Sequence, residues 1–217
     1  MSAFPGSPLL LKGGIVLLDP DSGQALQTIV LQYNPDTLTR TLQVQGIGPE
    51  PGDRLEALRL KAPPNEAIKL EAEIDATDQM EAGDPTVGQL GVYPQLAALE
   101  MLAYPSSAQL RGNQSQSQSG TLEIAPMESP MAVFVWSRQR VLPIRLTDFS
   151  ITEEAFDANL NPIRAKVSLG MRVLTVNDLG FSHRGGNLFM TYLQQKEQLA
   201  RKGPLGSIGA LGLRSIS

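Results

Sequence analysis

The chain has 217 residues, with 18 Lys and Arg against 22 Asp and Glu and a formal net charge of -4. That balance, with no block of cations to meet phosphates, argues against nucleic acid as a partner. The absence of cysteine removes disulfides, thiolate metal sites and a Cys nucleophile, and the single histidine, His183, removes histidine pairs.

Residues 1–8 have no cationic region leading into an apolar stretch, so no secretory leader is expected. No run approaches the ~20 apolar residues that cross a bilayer. The expectation is a protein that assembles in the cytoplasm, without membrane insertion and without a cofactor.

Leu9 to Leu11 and Ile15 to Leu18 predict an apolar strand that ends at the turn Asp19-Pro20-Asp21-Ser22-Gly23, and residues 26–33 predict its return. After the break at Asn34-Pro35-Asp36, Leu38, Leu42 and Val44 oppose Thr37, Thr39, Thr41 and Gln43, a third strand. Residues 46–53 and Ala62-Pro63-Pro64-Asn65 read as loops. Between them and the next loop, Ile68, Leu70, Ala72, Ile74 and Ala76 alternate with Lys69, Glu71, Glu73 and Asp75, which predicts a fourth strand with an acidic outer face.

Residues 93–104 carry Leu96, Leu99, Met101 and Leu102, with Pro94 suited to a first helical turn, and predict the one helix of the main domain. The Gln/Ser-rich stretch that follows has too little apolar surface to offset its ordering entropy, so residues 106–128 are expected to form a mobile loop. Residues 131–136 read as a strand buried on both faces.

Two long strands then flank Ala158-Asn159-Leu160-Asn161-Pro162. In the second, Ile163, Ala165, Val167, Leu169, Met171 and Val173 take one face, and Arg164, Lys166, Ser168, Gly170 and Arg172 the other. Period two marks a half-buried strand, here spanning roughly 36 Å against ~17–20 Å for a typical one. The first strand changes phase from Leu142, Ile144 and Leu146 to Phe149 and Ile151, which predicts a β-bulge near Thr147.

At the C-terminal end, Asn187 is expected to cap a second helix running to Lys202. Leu188, Phe189, Tyr192, Leu193 and Leu199 form its stripe, Lys196, Arg201 and Lys202 come late, and Gly203-Pro204 stop it. Beyond it, Leu205, Ile208, Leu211, Leu213 and Ile216 have no period and read as an apolar tail. Stripe and tail together are the candidate docking residues.

Nothing in the sequence builds an active site. Asp75, Asp78, Glu81 and Asp84 recur at three-residue spacing but lack the EF-hand pattern, and read as a solvated acidic loop. Glu153 and Glu154 are strand neighbours and point to opposite faces, so they cannot pair as acid and base. His183, beside Gly185-Gly186, reads as a solvated loop residue. The acidic row of Lys69, Glu71, Glu73 and Asp75 and the basic row of Arg164, Lys166 and Arg172 are either solvated faces or surfaces that meet, across strands or between subunits.

Leu31-Gln32-Tyr33-Asn34-Pro35, the alternating residues 67–75, the helix ending at Leu102, Val133-Phe134-Val135-Trp136 and Asn161-Pro162-Ile163-Arg164-Ala165 occur in that order. In order and spacing they resemble the tube-protein family of contractile injection systems, the phage-tail-like particles of bacteria, and especially the baseplate member that starts the inner tube. Ser137 stands where that family usually has Gly after the Trp, and the C-terminal region is too short for the LysM-like module of some members.

The resemblance, over about residues 11–174, implies a mainly β fold, a β-barrel or sandwich of antiparallel strands with one helix, so that residues 1–178 form this domain and the C-terminal helix and extended tail read from the residues occupy 179–217. It implies a non-enzymatic structural subunit of a homohexameric ring that links baseplate and inner tube and initiates tube assembly. Its partners would be its own copies, the inner-tube protein and baseplate or spike proteins, with the two charged rows facing the lumen or a neighbouring subunit. The alternatives are a repeating inner-tube subunit and a carbohydrate-binding β-sandwich, the latter poorly served by a single Trp.

Overall fold

The computed structural model describes residues 11–19, 22–46, 59–118, 130–203, 206 and 208–211. Seven strands form one antiparallel sheet: β1 (Gly14–Leu18), β2 (Ala25–Val30), β3 (Leu38–Gly46), β4 (Leu60–Asp75), β5 (Met131–Ser137), β6 (Arg140–Phe156) and β7 (Pro162–Val173). Their order is β2-β1-β5-β6-β7-β4-β3, with the long strand β6 in the middle.

The alternation read in β7 is what the fold uses. Ala165, Val167, Leu169, Met171 and Val173 are buried, joined across β4 by Ile68, Leu70, Ala72 and Ile74. The expected bulge is present: Leu146 pairs with Met171 and Asp148 with Gly170, leaving Thr147 as the extra residue. Gly170 makes room for it, since a Cβ there would lie 2.8 Å from the Asp148 Cβ.

The sheet is neither a sandwich nor a closed barrel. β2 and β3 stand at its two ends and do not pair. β3 reaches only to Leu38, opposite Leu70, so the end of β4 from Glu71 to Asp75 is paired with β7 but has no β3 residue on its other side. Ala62-Pro63-Pro64-Asn65 is also not a loop but part of β4. There β4 pairs with β3 alone, and the register slips between Gln43 opposite Asn65 and Gln45 opposite Ala62, so the prolines, which have no N–H to donate, fall at the irregularity.

The main domain holds more than the one expected helix. α1 (Thr77–Glu81), α2 (Pro85–Leu90) and α3 (Tyr93–Glu100) follow β4. Asp84 caps α2 by accepting the N–H groups of Thr86 and Val87, so part of the acidic series starts a helix. α3 buries Leu96 and Leu99 in the core, with proline in its first turn as read from the sequence.

α4 (Ser107–Gln118) occupies the start of the expected mobile loop, whose remaining residues 119–128 lie outside the described residues. Ser106 and Gln109 form a capping box, with the Gln109 N–H donated to the Ser106 hydroxyl and the Ser106 N–H to the Gln109 carboxamide. Gln is also a good helix former. α4 buries no residue.

After β7 come α5 (Val176–Leu179), opened by a Thr175/Asp178 capping box, and α6 (Arg184–Lys202). The cap of α6 is His183, whose Nδ1 accepts the Gly185 N–H at 3.0 Å, and not Asn187. Gly185 and Gly186 are buried in the first turn. A Cβ on Gly186 would lie 2.0 Å from the Gly180 carbonyl oxygen, so the pair serves close packing.

Candidate assembly surfaces

The two charged rows meet within one chain. Across β6, β7 and β4, Glu154 stands opposite Arg164 and Arg164 opposite Asp75, and Lys166 lies between Thr152 and Glu73. Arg164 reaches the Asp75 carboxylate at 2.7 Å and Glu73 at 3.8 Å, and Lys166 reaches Glu154 at 3.0 Å. Arg172 turns to Asp178 at the start of α5. Lys69 and Glu71 face Gly170 and Ser168 and make no ion pair among the described residues.

Mutual support shows in the ionisation of these groups. Asp75 is held below the usual carboxylate range by the Thr77 hydroxyl and, against some desolvation, by the Thr77 N–H and Arg164. Arg164 is raised by the hydrogen bond and charge of Asp75, and Lys166 by those of Glu154. Exposed pairs of this kind add little net stability, so their main effect is to favour this strand register.

The edge strands present a different chemistry. On β2, Leu26 is 57% and Val30 56% exposed, and on β3, Val44 is 69% exposed. Among the described residues, each edge has a row of backbone N–H and C=O groups with no strand opposite it.

A third surface is the stripe of α6. Phe189 and Tyr192 are buried in this chain's own core, Leu188 and Leu193 are half-buried, and Leu199 is exposed. Leu211 is exposed in the 3-10 turn Ile208–Leu211, while Leu205, Leu213 and Ile216 lie outside the described residues. Among the described residues no helix is long and apolar enough to cross a membrane.

Under α6 lies an ionic cluster that the sequence reading passed over. Glu66, 4% exposed, accepts from Arg40 Nε at 2.7 Å, from the Tyr192 hydroxyl at 3.1 Å and from Lys196 Nζ at 3.1 Å. Arg40 also donates to the Tyr192 oxygen at 2.8 Å, and Lys196 sits 4.1 Å from the centre of the Tyr192 ring. Burial pushes the Glu66 carboxyl up, but the hydrogen bonds and charges of Lys196 and Arg40 outweigh it and the net shift is downward. Burial, with the charge of Glu66, pushes the Tyr192 phenol up to about 12. One signal was present: the inward parity of Ile68, Leu70, Ala72 and Ile74 extends back to residue 66.

No protein-family model matches the chain, and no curated protein matches it. Among solved structures it is similar to a chain in the tail of an empty GTA particle of C6 symmetry, at 11% identity, over 75% of this chain and 90% of that one, with a TM-score of 0.29. A likeness of that size carries no weight for fold or role. What the strands define is the class: a mainly β protein, one open seven-stranded antiparallel sheet with a C-terminal helix.

Proposed function

We propose that the chain is a structural subunit of a contractile, phage-tail-like particle, whose copies join edge to edge into a ring. The observation that carries this reading is the open sheet. Its end strands β2 and β3 have, among the described residues, no strand on their outer sides, and they expose Leu26, Val30 and Val44, the feature that soluble monomers usually blunt. Adding β3 of one copy to β2 of the next makes a head-to-tail contact that closes when the rotation per subunit divides a full turn. The barrel is then completed between chains.

The finer reading follows the sequence resemblance: six copies, a non-catalytic role, a position between baseplate and inner tube, and initiation of the tube. Assembly takes place in the cytoplasm, with the inner-tube protein and baseplate or spike proteins as further partners. The paired charges on β4, β6 and β7 give such a ring a polar surface without large net charge.

The test is particle mass by electron microscopy and light scattering on the purified full chain. Rings of six are expected. A stable monomer at high concentration overturns the ring, and long filaments overturn initiation in favour of a repeating tube subunit.

A further inference from the structure

We infer that α6 is a mechanical link between the two free edges of the sheet, so that a strand added at one edge alters the other. At its first turn, Arg184 donates to the carbonyls of Ser22 at 3.1 Å and Gly23 at 3.3 Å, in the turn between β1 and β2. Gly23, at φ 66°, packs directly against the guanidinium, where a Cβ would lie 1.8 Å from the Arg184 Cζ. Further along the helix, Tyr192 and Lys196 hold Glu66 of β4, and Tyr192 accepts from Arg40 of edge strand β3. Between the two clamps Phe189 is buried in the core.

The dimensions agree. From Arg184 to Lys196 a helix rises about 18 Å, and the four strand spacings from β1 to β4 cover about 19 Å. An open sheet has no closure to fix the angle between its terminal hairpins, which is set by the soft accumulation of ~20° twists between strands. A helix fastened to both hairpins removes that freedom. Sliding off the far clamp is costly, because Glu66, buried beside α6, would lose its hydrogen bonds from Tyr192 and Lys196 and keep Arg40 as its partner. Coupling through such a rod is reciprocal.

The link holds for a single chain and does not rest on the ring. Its test is hydrogen exchange, peptide by peptide, on the full-length protein at a concentration where it is monomeric. Arg184→Ala cuts the clamp at β1–β2, and Lys196→Met weakens the clamp at β3–β4. Exchange is expected to accelerate about fivefold at the remote edge in each case, β3 for the first and β2 for the second. Arg184→Lys, which keeps a donor, should restore most of the β3 protection. Val87→Ala, a core truncation in α2 whose side chain takes part in neither clamp, controls for general loss of stability. Acceleration confined to the mutated end, or matched at the same edges by Val87→Ala, overturns the link.

Discussion

Gln32 and Asp75 exchange two hydrogen bonds. The Gln32 carboxamide donates to the Asp75 carbonyl at 2.6 Å and accepts the Asp75 N–H at 2.9 Å. One side chain thus supplies, at the end of β4, the pair of bonds that a neighbouring strand would supply. It anchors the connection between β2 and β3 where β3 has not yet begun, and it ends the sheet without closing it. Gln32→Ala leaves both Asp75 backbone groups without these partners, and we expect a loss of about 1–3 kcal/mol in urea unfolding. Gln32→Glu keeps the acceptor but loses the donor and sets a charge against a carbonyl, so it should recover stability as the pH is lowered toward its protonation.

Glu66 sets an acid limit on stability. Its carboxyl lies below its ordinary value of 4.5 in the folded chain. A lowered carboxyl contributes stability above the unfolded value and loses it as the pH falls through the folded one. The wild type should therefore weaken below about pH 4.5. Glu66→Gln should cost roughly 3 kcal/mol at pH 7, since it leaves Arg40 and Lys196 without their shared anion. That gap between the two proteins should narrow steadily toward pH 3. Urea midpoints across the range measure it, and a constant gap would show that Glu66 does not ionise differently on folding.

The bulge at Thr147 depends on Gly170. With Asp148 Cβ 2.8 Å and Asp148 N 3.4 Å from any added Cβ, Gly170→Ala has to move backbone rather than a flexible side chain. We expect a cost of about 1–3 kcal/mol and, because the β6–β7 ladder continues on both sides of the bulge, faster exchange from Leu146 through Ser150. Ser168→Ala, two residues away on the same face and half-buried, removes no close backbone contact of this kind and should cost less than Gly170→Ala.

These residues also mark how far the sequence could be read. β7 was legible because a half-buried strand writes its environment into every second residue, and the bulge because that rhythm breaks once between Leu146 and Phe149. The Ser106/Gln109 capping box was present, but α4 has no apolar stripe, so composition spoke for a loop. Gln32 carries no local mark of its partner, 43 residues away. Glu66 was hidden by Pro63-Pro64, which read as a loop, although its parity matched Ile68. Closure was the least legible feature, because whether β2 meets β3 depends on twist accumulated over seven strands and on where the link of residues 31–37 runs.

The ring reading makes its sharpest demand on β3. Val44 is 69% exposed on an edge strand, so Val44→Lys removes no buried contact and should leave the monomer within about 0.5 kcal/mol of wild type. A lysine on an edge, however, must be desolvated before another strand can lie against it, the device by which natural sheets stay monomeric. Light scattering should then show a folded monomer under conditions where the wild type is expected to form rings. Leu26→Lys on β2 should have the same effect from the other side of the same contact. A mixture of the two variants should recover pairs and no rings, since each copy keeps one competent edge. Rings from either variant alone would mean that the copies do not join through these strands.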